Sequence, residues 1–355
     1  MISIKKIWLL LSLLGVLSAQ EVDAQSTKFN DEGWKIVNTI PYPDQASQLV
    51  YDAIKMAGQP NVAAMKSLSF PNDQAIIDFV QKRDAKAAAG AQQMAEKLGV
   101  TVKEEKIAGV IVRYVTPPKV EPKHKNRLFI HVHGGAYILN GGYGGTGEAI
   151  VIAHYSKIAV VSIDYRMPPA HPFPAAIDDV LAVYKELIKK HDPKTMAIGG
   201  SSAGGGLSMA AIHKFKEVGL ELPGVLFGGT PWTDLTKTGD SYFTNEGIDR
   251  ILISYEGLLE PAAKSYSGET DIKNPLISPV YGDFSGFPPT YLVAGTRDLF
   301  LSNTVRAHRK LKIAGVVADL NVYEGLSHGE YGLFGSSENV EAYSELGDFL
   351  DSHLK

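Results

Sequence analysis

One short turn constrains the fold of this chain more than any other segment. The apolar residues 196–198 predict a buried strand, and the small residues that follow position 203 predict the start of a helix. Between them, residues 200–204 read Gly-Ser-Ser-Ala-Gly and fit the pattern G-x-S-x-G. A strand that turns this sharply into a helix strains its apex residue, and flanking side chains would collide with both elements. We therefore predict Ser202 at the apex with a projecting hydroxyl; an ordinary glycine-rich turn is the alternative.

Strand and helix patterns alternate along the chain beyond residue 100. Apolar runs predict a hairpin of edge strands at 100–107 and 110–115, then strands at 128–132, 158–163, 196–198, 225–227, 290–294 and 319–323. Helical periodicity predicts helices at 148–155, 174–190, 203–218, 303–313 and 339–354. Repeated units of this kind indicate a largely parallel sheet that helices cover on both faces, with right-handed crossovers.

Two regions depart from this alternation. Residues 25–99 carry helical patterns without a strand, at 46–56 and 73–98, and we expect them to pack on the later domain as a cap; a free-standing helical domain is the alternative. The segment from about 236 to 287 lies between two strands and carries a mostly helical stretch at 251–266. We interpret it as a cap insertion in a catalytic domain that spans 100–355, above the edge where ligands bind.

The N-terminus has the pattern of a secretory signal peptide. Lys5 and Lys6 precede an apolar run at 7–17, and small and polar residues follow. The pattern predicts a signal peptide at 1–24 with cleavage after Ala19 or Ala24, and an exported protein, periplasmic or secreted. An uncleaved membrane anchor is the alternative, although the run is too short to span a bilayer comfortably, so we expect no stable membrane insertion.

Composition excludes several classes of function. The chain has no cysteine, which removes disulfides, thiolate metal sites and a thiol nucleophile. A net charge of −4 and only short basic clusters argue against a nucleic-acid partner. Neither an H-E-x-x-H metal motif nor a phosphate-binding P-loop occurs, so we predict no metal and no cofactor.

A hydroxyl, a carboxylate and an imidazole follow different strands of the predicted sheet. Ligands bind at the carboxyl ends of parallel strands, and Ser202, Asp298 and His328 all lie just after such ends. A serine hydroxyl needs a base within hydrogen-bond reach, and His328 is our candidate base and later acid. Asp298 would orient the imidazole and stabilise its charged form. The three residues therefore predict nucleophilic catalysis by serine.

An oxyanion hole is expected beside this group. Attack by serine leaves a negative oxygen that needs hydrogen-bond donors already in place. Gly134 and Gly135 follow the strand at 128–132 and offer accessible N–H groups, and Ala203, directly after the candidate nucleophile, offers a third.

Other titratable residues near these strand ends have alternative interpretations. His133 is a competing base, but its place beside Gly134 favours a role in ordering the loop. Asp234 is the second candidate for the acid. His131 lies within a strand pattern and indicates a packed histidine, and Asp164 is expected to order its own loop.

Four motifs resemble those of the hormone-sensitive-lipase-like family of α/β-hydrolases, which are bacterial esterases with a cap. In chain order they are His133-Gly134-Gly135-Ala136 for the family's HGGG loop, Asp164-Tyr165-Arg166 with residues 171–176 for its DYR…HPFPA segment, residues 200–205 for its GDSAGG elbow, and His328-Gly329 for its HG pair. The resemblance covers roughly residue 128 to the C-terminus. It implies an α/β-hydrolase fold with a mostly parallel eight-stranded sheet, and a lipase-like serine esterase that cleaves small or medium acyl esters through an acyl-enzyme.

Three positions depart from the family pattern. Ala136 replaces the third loop glycine and keeps its backbone donor. Ser201 replaces the elbow aspartate and so removes a charge beside the candidate nucleophile. Glu330 stands where an aromatic residue usually follows His328-Gly329.

Within the family, residues 199–205, 231–235, 278–283 and 295–298 look like those of monoterpene ε-lactone hydrolases. This resemblance implies a small-molecule substrate, a cyclic or small apolar ester, and Tyr137 and Trp232 are candidate walls of its pocket. Two alternatives to a serine esterase remain: a catalytically inactive hydrolase fold that binds a ligand, and an amidase or peptidase on the same fold. The sequence makes no prediction of oligomeric state.

Overall fold

One mixed sheet carries the predicted turn near its middle. The computed structural model describes residues 39–355, and the statements below refer to that part of the chain. The strands of the sheet are β1 (Thr101–Ile107), β2 (Val110–Thr116), β3 (Leu128–Val132), β4 (Ala159–Ile163), β5 (Met196–Ser201), β6 (Val225–Gly229), β7 (Thr290–Gly295) and β8 (Ala318–Tyr323).

The order of the strands is β1-β2-β4-β3-β5-β6-β7-β8. The pairs β1–β2 and β2–β4 are antiparallel, and all pairs from β4 through β8 are parallel. The prediction of an eight-stranded, mostly parallel sheet is confirmed. Because β3, β5, β6, β7 and β8 run in one direction, their carboxyl ends meet at the same edge.

Helices connect and flank these strands. They are α1 (Gln48–Ala57), α2 (Val62–Lys66), α3 (Asp73–Leu98), α4 (Gly147–Ser156), α5 (Ala175–Leu187), α6 (Ala203–Glu217), α7 (Ser241–Thr244), α8 (Leu259–Ser267), α9 (Leu301–Ile313) and α10 (Ser337–His353). Short 3₁₀ turns occur at Pro122–His124, Gly142–Thr146, Pro193–Thr195, Pro279–Tyr281 and Glu330–Gly332.

The core consists of two apolar layers on opposite faces of the sheet. Successive side chains of a strand point to opposite faces. Ile130 and Val132 of β3 belong to the layer that packs against α5 and α6, whereas Phe129 belongs to the layer that packs against α4 and α10. All three side chains are fully buried. Helices therefore cover both faces, as the apolar strand pattern predicts.

The segment between β6 and β7 differs from its sequence-based prediction. We expected a mostly helical stretch at 251–266, but α8 begins only at Leu259. The Asp249 carboxylate accepts hydrogen bonds from the N–H groups of Ile251 (2.9 Å) and Leu252 (3.1 Å), and Ile253 takes a left-handed conformation with φ of 63°. A helix cannot continue through residues with positive φ, and Gly257 has φ of 97°, so the first half of the stretch is a series of turns.

None of the helices in residues 39–355 combines the length and the apolar composition needed to cross a bilayer. The predicted signal peptide at 1–24 lies outside the described residues.

Candidate active site

Ser202 occupies a strained turn between β5 and α6. Its backbone has φ of 60° and ψ of −126°, a conformation that residues with a side chain rarely adopt. Its N–H donates to Gly229 (2.8 Å), and its carbonyl accepts from Trp232 (2.9 Å). A Cβ at Gly200 or Gly204 would collide with the Val132 carbonyl oxygen, which explains the G-x-S-x-G spacing. The strand, the strained apex and the helix are those predicted from the sequence.

Asp298 and His328 form a buried pair at the same edge of the sheet. The imidazole Nδ1 of His328 lies 3.0 Å from Oδ1 of Asp298. His328 is 7% exposed and Asp298 is fully buried. Asp298 Oδ1 also accepts from the N–H of Phe300 (2.7 Å), and Oδ2 accepts from the Thr230 hydroxyl. Thr230 Oγ1 lies 3.0 Å from His328 Nδ1. These bonds fix Nδ1 as the protonated nitrogen and leave Nε2 free to act as a base.

The surroundings of His328 raise its pKa above the ordinary value for histidine. Burial alone would lower the pKa, but the charge and the hydrogen bond of Asp298 outweigh that effect. Asp249 adds a smaller contribution in the same direction. The pair therefore favours the charged imidazolium, which is the state that a general base reaches after it takes a proton.

Ser202 and His328 line one cavity of about 470 Å³. Within residues 39–355, the structure has no hydrogen bond between the Ser202 hydroxyl and the imidazole. Hydrogen bonds of this kind are often long in unliganded sites and tighten when substrate binds. The shared cavity therefore brings Ser202 and His328 together, and Asp298 joins them through its hydrogen bond with His328.

Gly134 and Gly135 lie directly beside the nucleophile turn. A Cβ at Gly134 would be 2.7 Å from the Ser201 carbonyl oxygen and 3.2 Å from Ser202 Cβ, so only glycine fits there. No hydrogen bond within the described part of the chain uses the N–H of either glycine. Ala203 is the first residue of α6, and its N–H has no acceptor within the helix. Three backbone donors are thus available around Ser202.

The competing base His133 and the competing acid Asp234 form hydrogen bonds outside the Asp298–His328 pair. His133 donates from Nδ1 to the Gly134 carbonyl (2.8 Å) and stacks on Tyr165 at 4.2 Å, and burial lowers its pKa to about 4. Asp234 binds Arg306 (2.6 Å) and accepts from the Tyr281 hydroxyl (2.9 Å). These contacts agree with a role for His133 in ordering its loop, and they engage Asp234 away from His328.

The remaining two alternatives are also accounted for by contacts. Asp164 pairs with Arg113 (3.0 Å) and accepts from the N–H of Gly142 (3.0 Å), which orders its loop as expected. His131 is fully buried in β3, and its Nδ1 lies 3.0 Å from the Ser162 hydroxyl oxygen.

The structure places Tyr137 and Trp232 behind the cavity instead of on its wall. Tyr137 is 1% exposed and stacks on Tyr266 with ring centroids 3.7 Å apart. Trp232 is fully buried and stacks on Phe300 (5.2 Å), whose ring in turn contacts the imidazole of His328 (4.8 Å). Both rings are buried in the core, and Trp232 reaches the imidazole of His328 only through Phe300.

The cavity wall is mainly apolar and comes from several segments. Met94 of α3 and four apolar residues of the segment between β6 and β7 line it together with the loop at Gly134 and Gly135. The aliphatic and methionine lining residues larger than alanine are Met94, Leu139, Val151, Ile251, Leu252, Leu258 and Leu259. Both regions that we expected to form a cap therefore contribute side chains to the cavity; their assignment as a cap stays a prediction.

Three polar residues at this site were not predicted from the sequence. Thr230 directly follows β6, so its position at a strand end was the available signal. Asp249 accepts from the N–H of Leu299 (2.9 Å), next to Asp298, and lies in a segment with no pattern. Glu148 of α4 contacts Ser201, 53 positions away in the chain. The last two relationships depend on the tertiary fold and leave no local signal.

No group of three or more histidine, aspartate or glutamate side chains in residues 39–355 is arranged to hold a metal ion.

The sheet order and the strand–turn–helix around Ser202 define the class of α/β proteins with a hydrolase fold. The chain belongs to the alpha/beta hydrolase fold family, whose model matches residues 129–332.

Individual relatives agree with this assignment. An esterase of Acinetobacter venetianus is 29% identical over 231 residues, which cover 64% of this chain and 75% of that one. The crystal structure of an esterase E25 shares 46% identity with a TM-score of 0.89 and covers 92% of this chain and 100% of that chain. The HSL homologue EstE7 from a metagenome library shares 30% identity with a TM-score of 0.67, over 78% of this chain and 98% of that one. The predicted hormone-sensitive-lipase-like family is confirmed, and the likeness to lactone hydrolases stays a prediction.

Proposed function

We propose that this chain hydrolyses carboxylic esters through an acyl-enzyme on Ser202. His328 acts as general base and acid, and Asp298 orients it. The observation that carries the proposal is the Asp298–His328 pair at 3.0 Å, whose histidine shares one cavity with a serine on a strained turn. The family, and the similarity to proteins named as esterases, support the same reaction class.

The proposed reaction has two halves. Nε2 of His328 takes the hydroxyl proton as Ser202 Oγ attacks the ester carbonyl, and the N–H groups of Gly134, Gly135 and Ala203 stabilise the oxyanion. The imidazolium then protonates the departing alcohol, which leaves an acyl-enzyme. A water molecule, deprotonated by His328, then attacks the acyl carbonyl. The bond to Ser202 Oγ breaks, the imidazolium returns its proton to that oxygen, and the acid is released. Asp298 remains ionised throughout and stabilises the imidazolium.

The cavity supports a small-molecule substrate with an apolar acyl group. A volume of about 470 Å³ and walls of leucine, isoleucine, valine and methionine suit acyl chains of small or medium length. A lactone fits the same chemistry because ring opening also proceeds through an acyl-enzyme. We keep lactones within the proposal on the sequence resemblance alone.

We also propose that residues 25–99 and about 236–287 act as a cap over this cavity, and that the protein is exported. Met94 and Leu252 line the cavity from these two regions, which supports the first proposal. Export rests on the signal-peptide pattern at 1–24. N-terminal sequencing of the mature protein from periplasm and medium tests it, and a mature chain that still begins at Met1 in the cytoplasm would contradict it.

The decisive experiment compares the unmodified protein with Ser202→Ala and with Ser352→Ala, an exposed serine of α10, as the matched control. We expect Ser202→Ala to lower kcat on p-nitrophenyl butyrate by at least about 10³-fold, because the nucleophile is lost. Ser352→Ala should match the unmodified protein. Mass spectrometry after treatment with a fluorophosphonate should find the label on Ser202.

Other outcomes would overturn the proposal in distinct ways. Ester turnover that survives in Ser202→Ala removes the assigned nucleophile. Labelling of Ser202 together with turnover of anilides in preference to esters indicates an amidase. Absence of both labelling and turnover indicates a hydrolase fold that only binds its ligand.

A further inference from the structure

Glu148 places a carboxylate directly behind the nucleophile turn. One oxygen, Oε2, accepts from the N–H of Ser201 (2.9 Å) and lies 3.1 Å from Nε2 of His131. The other, Oε1, accepts from the Tyr343 hydroxyl (3.0 Å) and from the Ser201 hydroxyl. Only 15% of the Glu148 side chain is exposed, and it borders the active-site cavity. Four donors thus converge on one carboxylate.

These donors come from separate parts of the site. Ser201 precedes the nucleophile, and His131 belongs to β3, which leads into the loop at Gly134 and Gly135. The Ser201 hydroxyl oxygen also lies 2.7 Å from the hydroxyl of Tyr331, three positions after His328. Glu148 is therefore hydrogen-bonded to the nucleophile turn at Ser201 and to β3 at His131. Through the Ser201 hydroxyl it is also linked to Tyr331, in the segment that follows His328.

The carboxylate remains ionised in this setting. Burial would raise the pKa of Glu148, but the hydrogen bond and charge of His131 and the bonds from the two hydroxyl groups outweigh it, so the pKa lies below the ordinary value. A charge-assisted hydrogen bond to a backbone N–H is stronger than a neutral one. Ser201 is thus held by an ionised acceptor at the residue next to the nucleophile.

This arrangement provides a carboxylate near position 201, where the family motif has an aspartate and this chain has Ser201. We propose that Glu148 is a positioning residue for Ser202, and that it supplies from α4 the carboxylate that the nucleophile turn itself lacks. The negative charge near the nucleophile thus comes from α4 and not from the nucleophile turn. The inference rests on the proposed function and deepens it, since Glu148 acts through Ser201 and contacts no reacting atom.

The Ser201 side chain packs closely against Gly229, because a Cβ on that glycine would collide with the Ser201 hydroxyl oxygen. The same hydroxyl bonds directly to the Glu148 carboxylate. Ser201→Asp would therefore set a second negative charge against Glu148, and like charges at this distance disfavour each other. The two positions should depend on each other.

The test uses Glu148→Gln, Ser201→Asp and the double variant, with Glu269→Gln, an exposed glutamate of the loop after α8, as the control. Each single variant should lower kcat on p-nitrophenyl butyrate by about 10- to 100-fold at unchanged KM, because a small misplacement of the nucleophile costs this much. The double variant, with its single carboxylate on position 201, should return to within about 3-fold of the unmodified protein. The rate of fluorophosphonate labelling of Ser202 should follow kcat.

The outcomes separate this inference from the proposed function. Failure of the unmodified protein to hydrolyse esters rejects the function. Normal turnover in Glu148→Gln, or a double variant no better than the single ones, rejects only the positioning role. If Glu148→Gln does not fold, Tyr343→Phe carries the test: it removes one donor to Glu148 and keeps the ring. We then expect a roughly 3- to 10-fold lower kcat at unchanged KM, and an unchanged kcat overturns the inference.

Discussion

The carboxylate of Asp84 accepts hydrogen bonds from the backbone N–H groups of Asn140 (2.6 Å) and Gly141 (3.1 Å). Asp84 lies on α3, whereas Asn140 belongs to the loop that continues from Gly134 and Gly135. The side-chain amide of Asn140 also donates to the Gly134 carbonyl (3.2 Å). The long N-terminal helix is thus joined to the proposed oxyanion donors by two consecutive hydrogen-bonding steps.

This connection predicts that Asp84→Ala lowers kcat. Without the acceptor, the loop loses two hydrogen bonds and the N–H groups of Gly134 and Gly135 are less well aligned with the oxyanion. Loss of a whole oxyanion donor costs about 10²- to 10³-fold, and we expect about 10-fold for this indirect loosening. Asp78→Ala, an exposed aspartate of the same helix, is the control. Equal kcat values in the two variants would refute the connection.

Substitution of the two candidate acids should have opposite consequences. Asp298→Asn should reduce kcat by about 10³- to 10⁴-fold, because the amide no longer favours the imidazole tautomer with a free Nε2. Asp234→Asn should leave kcat within a few-fold but destabilise the fold by about 2 kcal/mol, because it weakens the partly exposed pair with Arg306. Steady-state kinetics and urea unfolding distinguish the two effects. Reversed results would make Asp234 the acid.

The acid limb of the pH–rate profile should report on His328 and its neighbour Asp249. The base must be neutral to act, so kcat/KM should fall as the pH drops below the raised pKa of His328. Burial, and then the charge of Asp298, raise the pKa of Asp249 to about 6, so Asp249 is mostly ionised at pH 7. Its negative charge stabilises the imidazolium, and removing it lowers the pKa of His328.

Asp249→Asn should therefore move the acid limb to lower pH. The measurement is kcat/KM between pH 5 and 9 on one uncharged ester. Asp240→Asn is a suitable control, because this exposed aspartate lies in the same segment between β6 and β7. A limb that stays in place in Asp249→Asn would show that its charge does not act on His328.

Met94 should limit the size of the acyl group. It lies on the cavity wall, so Met94→Trp narrows the cavity. We expect kcat/KM for p-nitrophenyl octanoate to fall about 10-fold relative to the acetate, since single-methylene differences in an apolar pocket are worth roughly 10-fold or more. Met56→Trp on α1, where the methionine is 86% exposed, controls for the added ring. An unchanged ratio would place the acyl group elsewhere in the cavity.

Much of the fold could be predicted because local signals agree with the tertiary structure. The predicted bounds of α3 at 73–98 match the structure, since Asn72 caps its start and Gly99 ends it in a left-handed conformation. The parallel strands are buried apolar runs and are recognised as such. The helix expected at 251–266 is partly wrong, because Ile253 and Gly257 take positive φ values that a helix cannot contain. The hydrophobic periodicity of the sequence does not reveal these two backbone conformations.

The site likewise contains residues with a local sequence signal and residues that only the tertiary fold brings together. Ser202, Asp298 and His328 could be placed at one sheet edge because each directly follows a strand. Glu148 and Tyr343 contact each other across 195 positions of the chain, and only the folded sheet brings them together. Residue type predicts Tyr137 and Trp232 on the pocket wall. The structure shows their rings turned into the core, a direction that residue type does not encode.

The strained backbone at Ser202 has an evolutionary consequence. A positive φ at a residue with a side chain costs of order 1–3 kcal/mol, and glycine would largely avoid that cost. Directed evolution that selects only for thermostability would therefore favour glycine at position 202, and the hydroxyl would be lost. A screen for more stable variants must also select for ester hydrolysis.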